Sequence, residues 1–303
     1  MATPLLRKKI LGLALLSLLS GGVTLGLSAR AAHAERVASA SLSHGHDDVT
    51  ASMNTLRERW HGANIIKITP LGGRSAKVLE VETAEKKLFI VRRPRRDVEH
   101  GLRVNIATHK MAAAMGDERM VPAAIIDTTP IALDADSPAG SQVLVTRHIG
   151  HAYTNANQLH PTLLAKLPER AKLVAAIIDL LSEQQDRKSE NIMVRKEGTT
   201  LKMIDPDKSF GQRHGRIYRS QFFHGGMVGY TSAQNKFTDL PADLQTYIGD
   251  LATATPTQIQ TIYGLNAEES AVVSNRAQRI QALGLRPAID EYVVSLGPVH
   301  APE

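Results

Sequence analysis

Three side chains carry the chemistry that this sequence suggests: Asp186, Asn191 and Asp205. The first two sit five positions apart in the polar run Asp186-Arg187-Lys188-Ser189-Glu190-Asn191, which leads into the apolar Ile192-Met193-Val194. A turn at 196–199 and a second apolar run, Leu201-Lys202-Met203-Ile204, then deliver Asp205. An acid and an amide at that spacing place a proton acceptor beside a metal ligand. A hairpin that returns a second acid to the same end completes an oxygen-only cation site. Phosphoryl transfer needs a base at the attacking hydroxyl and hard oxygen ligands that hold magnesium against nucleotide phosphates. A polar run of this kind also serves as a solvated helix end, with Asp186 as a cap and Asn191 in a turn. The joint spacing of all three between the right apolar segments favours the chemical reading.

The pattern D-R-x-x-x-N-I-x-V, followed by a strand ending in Ile204-Asp205, resembles the catalytic and metal-binding loops of the phosphatidylinositol 3-/4-kinase-like superfamily. Its relatives include bacterial HipA-type kinases and secretory-pathway kinases, and it shares a two-lobe architecture with protein kinases. The resemblance implies Asp186 as the catalytic acid, and Asn191 and Asp205 as magnesium ligands. Asp207 is a nearby candidate for the role given to Asp205. ATP and Mg²⁺ are the implied cofactors, with Mn²⁺ as a possible substitute. The implied fold is α+β and two-lobed, with a small β-rich N-lobe and a mostly helical C-lobe.

The rest of the chain supplies elements to position those residues. Two or three antiparallel strands are predicted from Ile65 to Val91, with turn residues at 71–75 and 83–87. Apolar Leu102, Ile106, Met111 and Met115 follow helical spacing and stop at Gly116, a C-cap residue. Strands at 121–126 and 142–147 follow. Helices are predicted within 163–184 and over 241–252, 256–263 and 267–284, so the N-lobe spans 56–150 and the C-lobe 151–303.

Gly72-Gly73, between strands, is placed where a nucleotide-covering loop belongs, since backbone N–H groups there reach phosphates; a tight hairpin also uses such a pair. Arg92 stands where the superfamily carries a phosphate-contacting lysine at the end of the strand 88–91. The partner glutamate of the inserted helix maps near Asn105, with Glu99 as a substitute if the helix begins earlier. Arginine keeps the positive charge but is bulkier and planar. Three activities stay open: a kinase with an altered nucleotide grip, a nucleotidyl transferase, and a pseudokinase that binds a nucleotide or partner. The acceptor is a hydroxyl on a protein, lipid or small molecule.

The N-terminus reads as an export signal. Arg7, Lys8 and Lys9 precede an apolar run from Ile10 to Leu27, and Ala32-His33-Ala34 supplies a small-x-small cleavage site, so residues 1–34 are expected to be removed. Localisation would then be secreted, periplasmic or within a secretory pathway, with residues 35–55 as a flexible leader and no transmembrane segment left. Removing 1–34 takes four cations away, and the formal charge falls from +6 to about +2. Net charge therefore gives no case for a nucleic-acid partner. The chain contains no cysteine, which excludes disulfides, thiolate-held zinc and thiol nucleophiles. Stability rests on core burial.

Overall fold

Alternation at period two organises the first half. In the strand Ala76–Thr83 the residues Leu79, Val81 and Thr83 are buried, and in Leu88–Pro94 the buried pair is Phe89 and Val91. The structure is a computed structural model that describes residues 42, 45–72, 76–94, 98–135, 137–210, 217–223, 226–229 and 234–297. The expected signal and Gly73 lie outside those residues. No helix among the described residues is long and apolar enough to cross a membrane.

Strands β1 (Ile65–Gly72), β2 (Ala76–Thr83), β3 (Leu88–Pro94), β4 (Ala124–Thr128) and β5 (Gln142–Arg147) form a sheet in the order β1-β2-β3-β5-β4. Every neighbouring pair is antiparallel. Between β3 and β4 the chain inserts a helix, Val98–Ala114, and Gly116 follows at φ 79, the left-handed conformation a C-cap glycine adopts.

Helix α1 (His46–His61) corrects the expected leader, which was to run through residue 55. Val49, Leu56 and Trp60 recur at helical spacing and are buried. The Trp60 ring stands edge-on to Phe89 at 5.4 Å, and its Nε1 donates to the Thr128 carbonyl at 3.0 Å. Few apolar residues in a polar segment hid this helix. It needs only one narrow stripe, because the face of the sheet supplies the rest of its apolar surroundings. The inserted helix Val98–Ala114 is α2.

The second half holds a three-stranded sheet, β6 (Tyr153–Asn155), β7 (Ile192–Arg195) and β8 (Leu201–Met203), in the order β6-β7-β8. Among the described residues six α-helices accompany it: α3 (Pro161–Leu164), α4 (Glu169–Leu181), α5 (Ala242–Thr253), α6 (Pro256–Tyr263), α7 (Ala267–Leu283) and α8 (Leu285–Ser295). Helix α4 is the centre of this half, with every residue from Lys172 to Leu181 buried. Its sequence is apolar on all sides because helices and strands pack around it.

Two separate cores follow from this layout. One joins α1 to the five-stranded sheet through Leu56, Trp60, Val81, Phe89 and Ile125. The other surrounds α4 and includes Ala107 and Met111 of α2 and Met115 just beyond it. Helix α2 therefore belongs by sequence to the sheet half and by packing to the helical half. The described residues form an α+β fold of two lobes, β-rich then helical, as expected.

Candidate active site

The loop after α4 is fixed before its functional side chains are placed. Gln184, Gln185 and Arg187 are all buried, and the backbone around them is tied to the segment that follows β8. The N–H of Gln185 donates to the Lys208 carbonyl at 3.0 Å, that of Tyr218 to the Gln185 carbonyl at 2.9 Å, and that of Phe210 to the Ser182 carbonyl at 2.7 Å. The Gln184 side chain accepts from the Asp186 N–H at 2.9 Å.

Arg187 fastens the two ends of the β7–β8 hairpin. Its Nε lies 3.2 Å from one Asp179 carboxylate oxygen and 3.3 Å from the other, and Ser220 Oγ donates to the same carboxylate at 2.6 Å. Its Nη1 donates to the carbonyls of Asn191 (3.2 Å) and Ile204, while the Ile204 N–H donates to the Asn191 carbonyl at 3.1 Å. The residues just before Asp205 are thus held against Asn191. Burial pushes the Asp179 carboxyl up, against the opposing pull of Arg187 and Ser220. So buried a pair contributes fixed geometry more than net stability.

Of the predicted residues, Asp186 stands at the edge of this scaffold. One carboxylate oxygen, Oδ1, is buried and meets no hydrogen-bond partner, and the other lies 3.6 Å from Lys208 Nζ. Burial raises its pKa, the charges of Lys208 and Lys188 work against that, and Asp205 adds to it. A carboxyl shifted upward with one unoccupied oxygen has the properties of a general base. Asn191 donates through Nδ2 to the Asp186 carbonyl at 2.8 Å. Its amide oxygen is then the atom offered to a cation.

Asp205 takes φ 57, a left-handed conformation uncommon outside glycine, though aspartate and asparagine adopt it more readily than other residues. Arg92 of β3 reaches it across the lobes, with Nη1 2.8 Å from Asp205 Oδ1 and 3.9 Å from Asp207 Oδ2. The two carboxyl groups also share a hydrogen bond, and their pKa values separate. Burial pushes Asp207 up to about 6, helped by the charge of Asp205. Burial would raise Asp205 as well, but Arg92 and the bond from Asp207 leave it below its ordinary value. Two carboxyl groups forced this close are favourable only with positive charge between them, and Arg92 provides it.

Asn105 of α2 completes the contact. Its Nδ2 donates to the Gly101 carbonyl at 2.7 Å and to Asp207 Oδ1 at 3.4 Å. The helix that was expected to pair with the β3 cation therefore meets it through Asp207. Arg92 forms ion pairs with Asp205 and Asp207, and the position that maps to the missing glutamate hydrogen-bonds the acid next to them.

The donor set fits a hard divalent cation. Carboxylate and amide oxygens are the donor types that Mg²⁺ takes, commonly one or two carboxylates with water and phosphate completing its shell. Among the described residues no three acids or histidines converge as a closed protein cage.

No family model matches the chain, and no curated protein matches it either. Among solved structures it is similar to the crystal structure of a Helicobacter pylori proinflammatory kinase, CtkA. Identity is 10%, with 78% of this chain and 98% of that chain covered, at a TM-score of 0.41. A likeness so distant carries no argument about activity; the weight stays on the side chains.

Two cations near the acids were not singled out in the sequence. Lys208 faces Asp186, and Lys188 bears electrostatically on both Asp186 and Asp205 while its ammonium lies 5.6 Å from the centre of the Tyr218 ring. Lys188 follows Asp186 by two positions in the same polar run. Only the folded return of the chain brings Lys208 near. Gly72 pairs with Val78 at the end of β1; the Glu99 side chain lies outside the described residues.

Proposed function

We propose that the chain is an exported ATP-dependent phosphotransferase that moves the γ-phosphoryl group to a hydroxyl acceptor. The observation that supports this best is the convergence of one loop, one hairpin end and one strand. Asp186 and Asn191 come from the loop, Asp205 and Asp207 from the hairpin, and Arg92 from β3.

Asp186 accepts the proton of the attacking hydroxyl through its unpartnered oxygen. Lys208 and Lys188 hold positive charge at the same place, where transferred phosphate oxygens gather charge. Asp205, Asp207 and Asn191 would hold Mg²⁺, which when bound neutralises charge on the nucleotide phosphates. Arg92, now paired with Asp205 and Asp207, would contact the nucleotide phosphates if a cation took its place at those acids.

Turnover by the mature chain, compared with Asp186→Ala and Asp205→Ala, tests the assignment. The wild type should consume ATP and both variants should fall by at least about a hundredfold, the scale of a lost general base. Equal residual turnover in all three would remove it.

A second reading is favoured by one observation: Arg92 already supplies the positive charge at both acids. In a pseudokinase that closed state would be permanent. Nucleotide would then raise the melting temperature without any product forming, whatever divalent cation is present.

A further inference from the structure

A cavity of about 820 Å³ opens on another part of the molecule, between α1, the β2–β3 turn, the segment from α2 into β4, and the chain that leaves β5. Arg92, Asp186, Asn191, Asp205 and Asp207 do not line it. Its volume is in the range of small-molecule sites. Its charge is one-sided. The lining carries six cations, Arg59, Lys86, Lys87, Arg119, Arg147 and Lys202, against two carboxylates, Asp48 and Glu118.

Those cations are not spent on ion pairs. Among the described residues, Arg59, Lys86, Lys87 and Arg147 meet no carboxylate within ion-pair distance, and Arg119 meets only its neighbour Glu118, at 3.5 Å between two exposed side chains. Lys202 is held in place as a half-buried wall residue. Its Nζ donates to the Arg119 carbonyl at 2.8 Å and lies 5.6 Å from the centre of the Tyr153 ring. Burial lowers its pKa, and the repulsion of Arg147 and Arg119 adds to that against the pull of Asp117. Holding a lysine among like charges is unfavourable unless an anion answers them.

The buried His109 also lines the cavity. Its Nδ1 lies 2.6 Å from the Val121 carbonyl, so Nδ1 carries the proton there, and its Nε2 is buried without a hydrogen-bond partner. His148, also in the lining, is by contrast engaged by Glu80 and by the Gly150 N–H.

We propose that this cavity binds a small anion carrying several phosphate groups. Several separated cations around one concave space match several phosphates better than a single carboxylate, since each phosphate takes more than one charge-assisted bond. A concave space of this volume suits a small molecule better than an extended nucleic-acid strand. The phosphates could belong to a soluble molecule or to a lipid headgroup, which share this chemistry.

Calorimetry on the full chain with inositol hexakisphosphate and with tripolyphosphate tests the soluble source; co-sedimentation with phosphatidylcholine vesicles containing phosphatidylinositol bisphosphate tests the lipid. Binding should weaken by about tenfold in Arg147→Gln/Lys202→Gln, as expected for the loss of two charge-assisted contacts. It should be unchanged in Asp186→Asn, which separates this cavity from the nucleotide site. If Lys202→Gln prevents folding, the exposed pair Arg59→Gln/Lys87→Gln provides the same comparison. Loss of soluble binding assigns a free ligand, and loss of vesicle binding alone assigns a lipid. Affinity indifferent to both double variants, or equal dependence for a duplex oligonucleotide, overturns the proposal.

Discussion

Replacing Arg187 with methionine should be among the most damaging single changes in the helical lobe. The guanidinium is 1% exposed and its partner Asp179 is 0% exposed. Methionine preserves the apolar stem and much of the volume, so little of the loss comes from a cavity. What remains is an unpaired buried carboxylate, and removing one partner of a buried pair costs about 3–5 kcal/mol. The carbonyls of Asn191 and Ile204 lose a donor as well, at about 1 kcal/mol or more each. Because Ser220 still donates to Asp179, and Asp179 can take up a proton, the lower end of that range applies, and with the two carbonyls the loss is about 5 kcal/mol in all. Against a typical total of about 5–15 kcal/mol, that leaves a protein close to its unfolding threshold. Urea denaturation followed by circular dichroism reads the difference. Arg187→Met/Asp179→Leu should recover most of the stability, since no charge is left stranded, while ATP turnover stays low because the hairpin end is no longer tied to the loop. A single variant within about 0.5 kcal/mol of wild type, the scale of an ordinary surface change, would refute the reasoning.

Three other outcomes follow from the same structure. Asp207 has a folded pKa of about 6 against an ordinary 3.8, so its ionisation opposes folding. That penalty is absent below about pH 4 and complete above about pH 6, and solvent screening of a one-third exposed side chain keeps it on the order of 1 kcal/mol. Asp207→Asn should therefore gain stability relative to wild type as pH rises through that window; a difference that is flat with pH contradicts the shared proton. Trp60→Ala should cost about 3–5 kcal/mol, because the ring is buried against Phe89; an effect below about 1 kcal/mol in thermal unfolding would show that α1 is not part of the N-terminal core. Arg92→Met should weaken nucleotide affinity and leave Asp205 and Asp207 without their cation, so that added Mg²⁺ stabilises the variant more than the wild type in thermal melts; an equal shift in both would mean that Arg92 does not compete for those acids.

The candidate site was legible where it depends on local order. Asp186, Asn191 and Asp205 sit on a loop and a hairpin whose apolar runs mark both strands, and the backbone bond from Ile204 to Asn191 joins the two as that pattern requires. The sheet strands and the helix ending before Gly116 were equally plain, because burial alternates along β2 and β3 and recurs every third or fourth residue along α2. Contacts across the lobes were not. Arg92 and Asp205 are 113 residues apart, and nothing near either announces the other. Asn105 was read as a lost ion-pair partner, yet it reaches Asp207 instead. Helix α8 lies beyond the predicted helices, and Pro287 falls in its first turn. Proline is tolerated in a first turn, where the N–H groups have no partner within the helix, and Leu285, Ile289 and Tyr292 bury the following face.

Electron paramagnetic resonance of Mn²⁺ with ATP and the mature chain tests the central assignment most directly. The account predicts a protein-bound Mn²⁺–nucleotide signal that weakens sharply in Asp205→Asn and in Asn191→Leu, while Glu190→Gln, beside the site but outside the ligand set, keeps it. An unchanged signal in Asp205→Asn and Asn191→Leu, or none in the wild type, would contradict it.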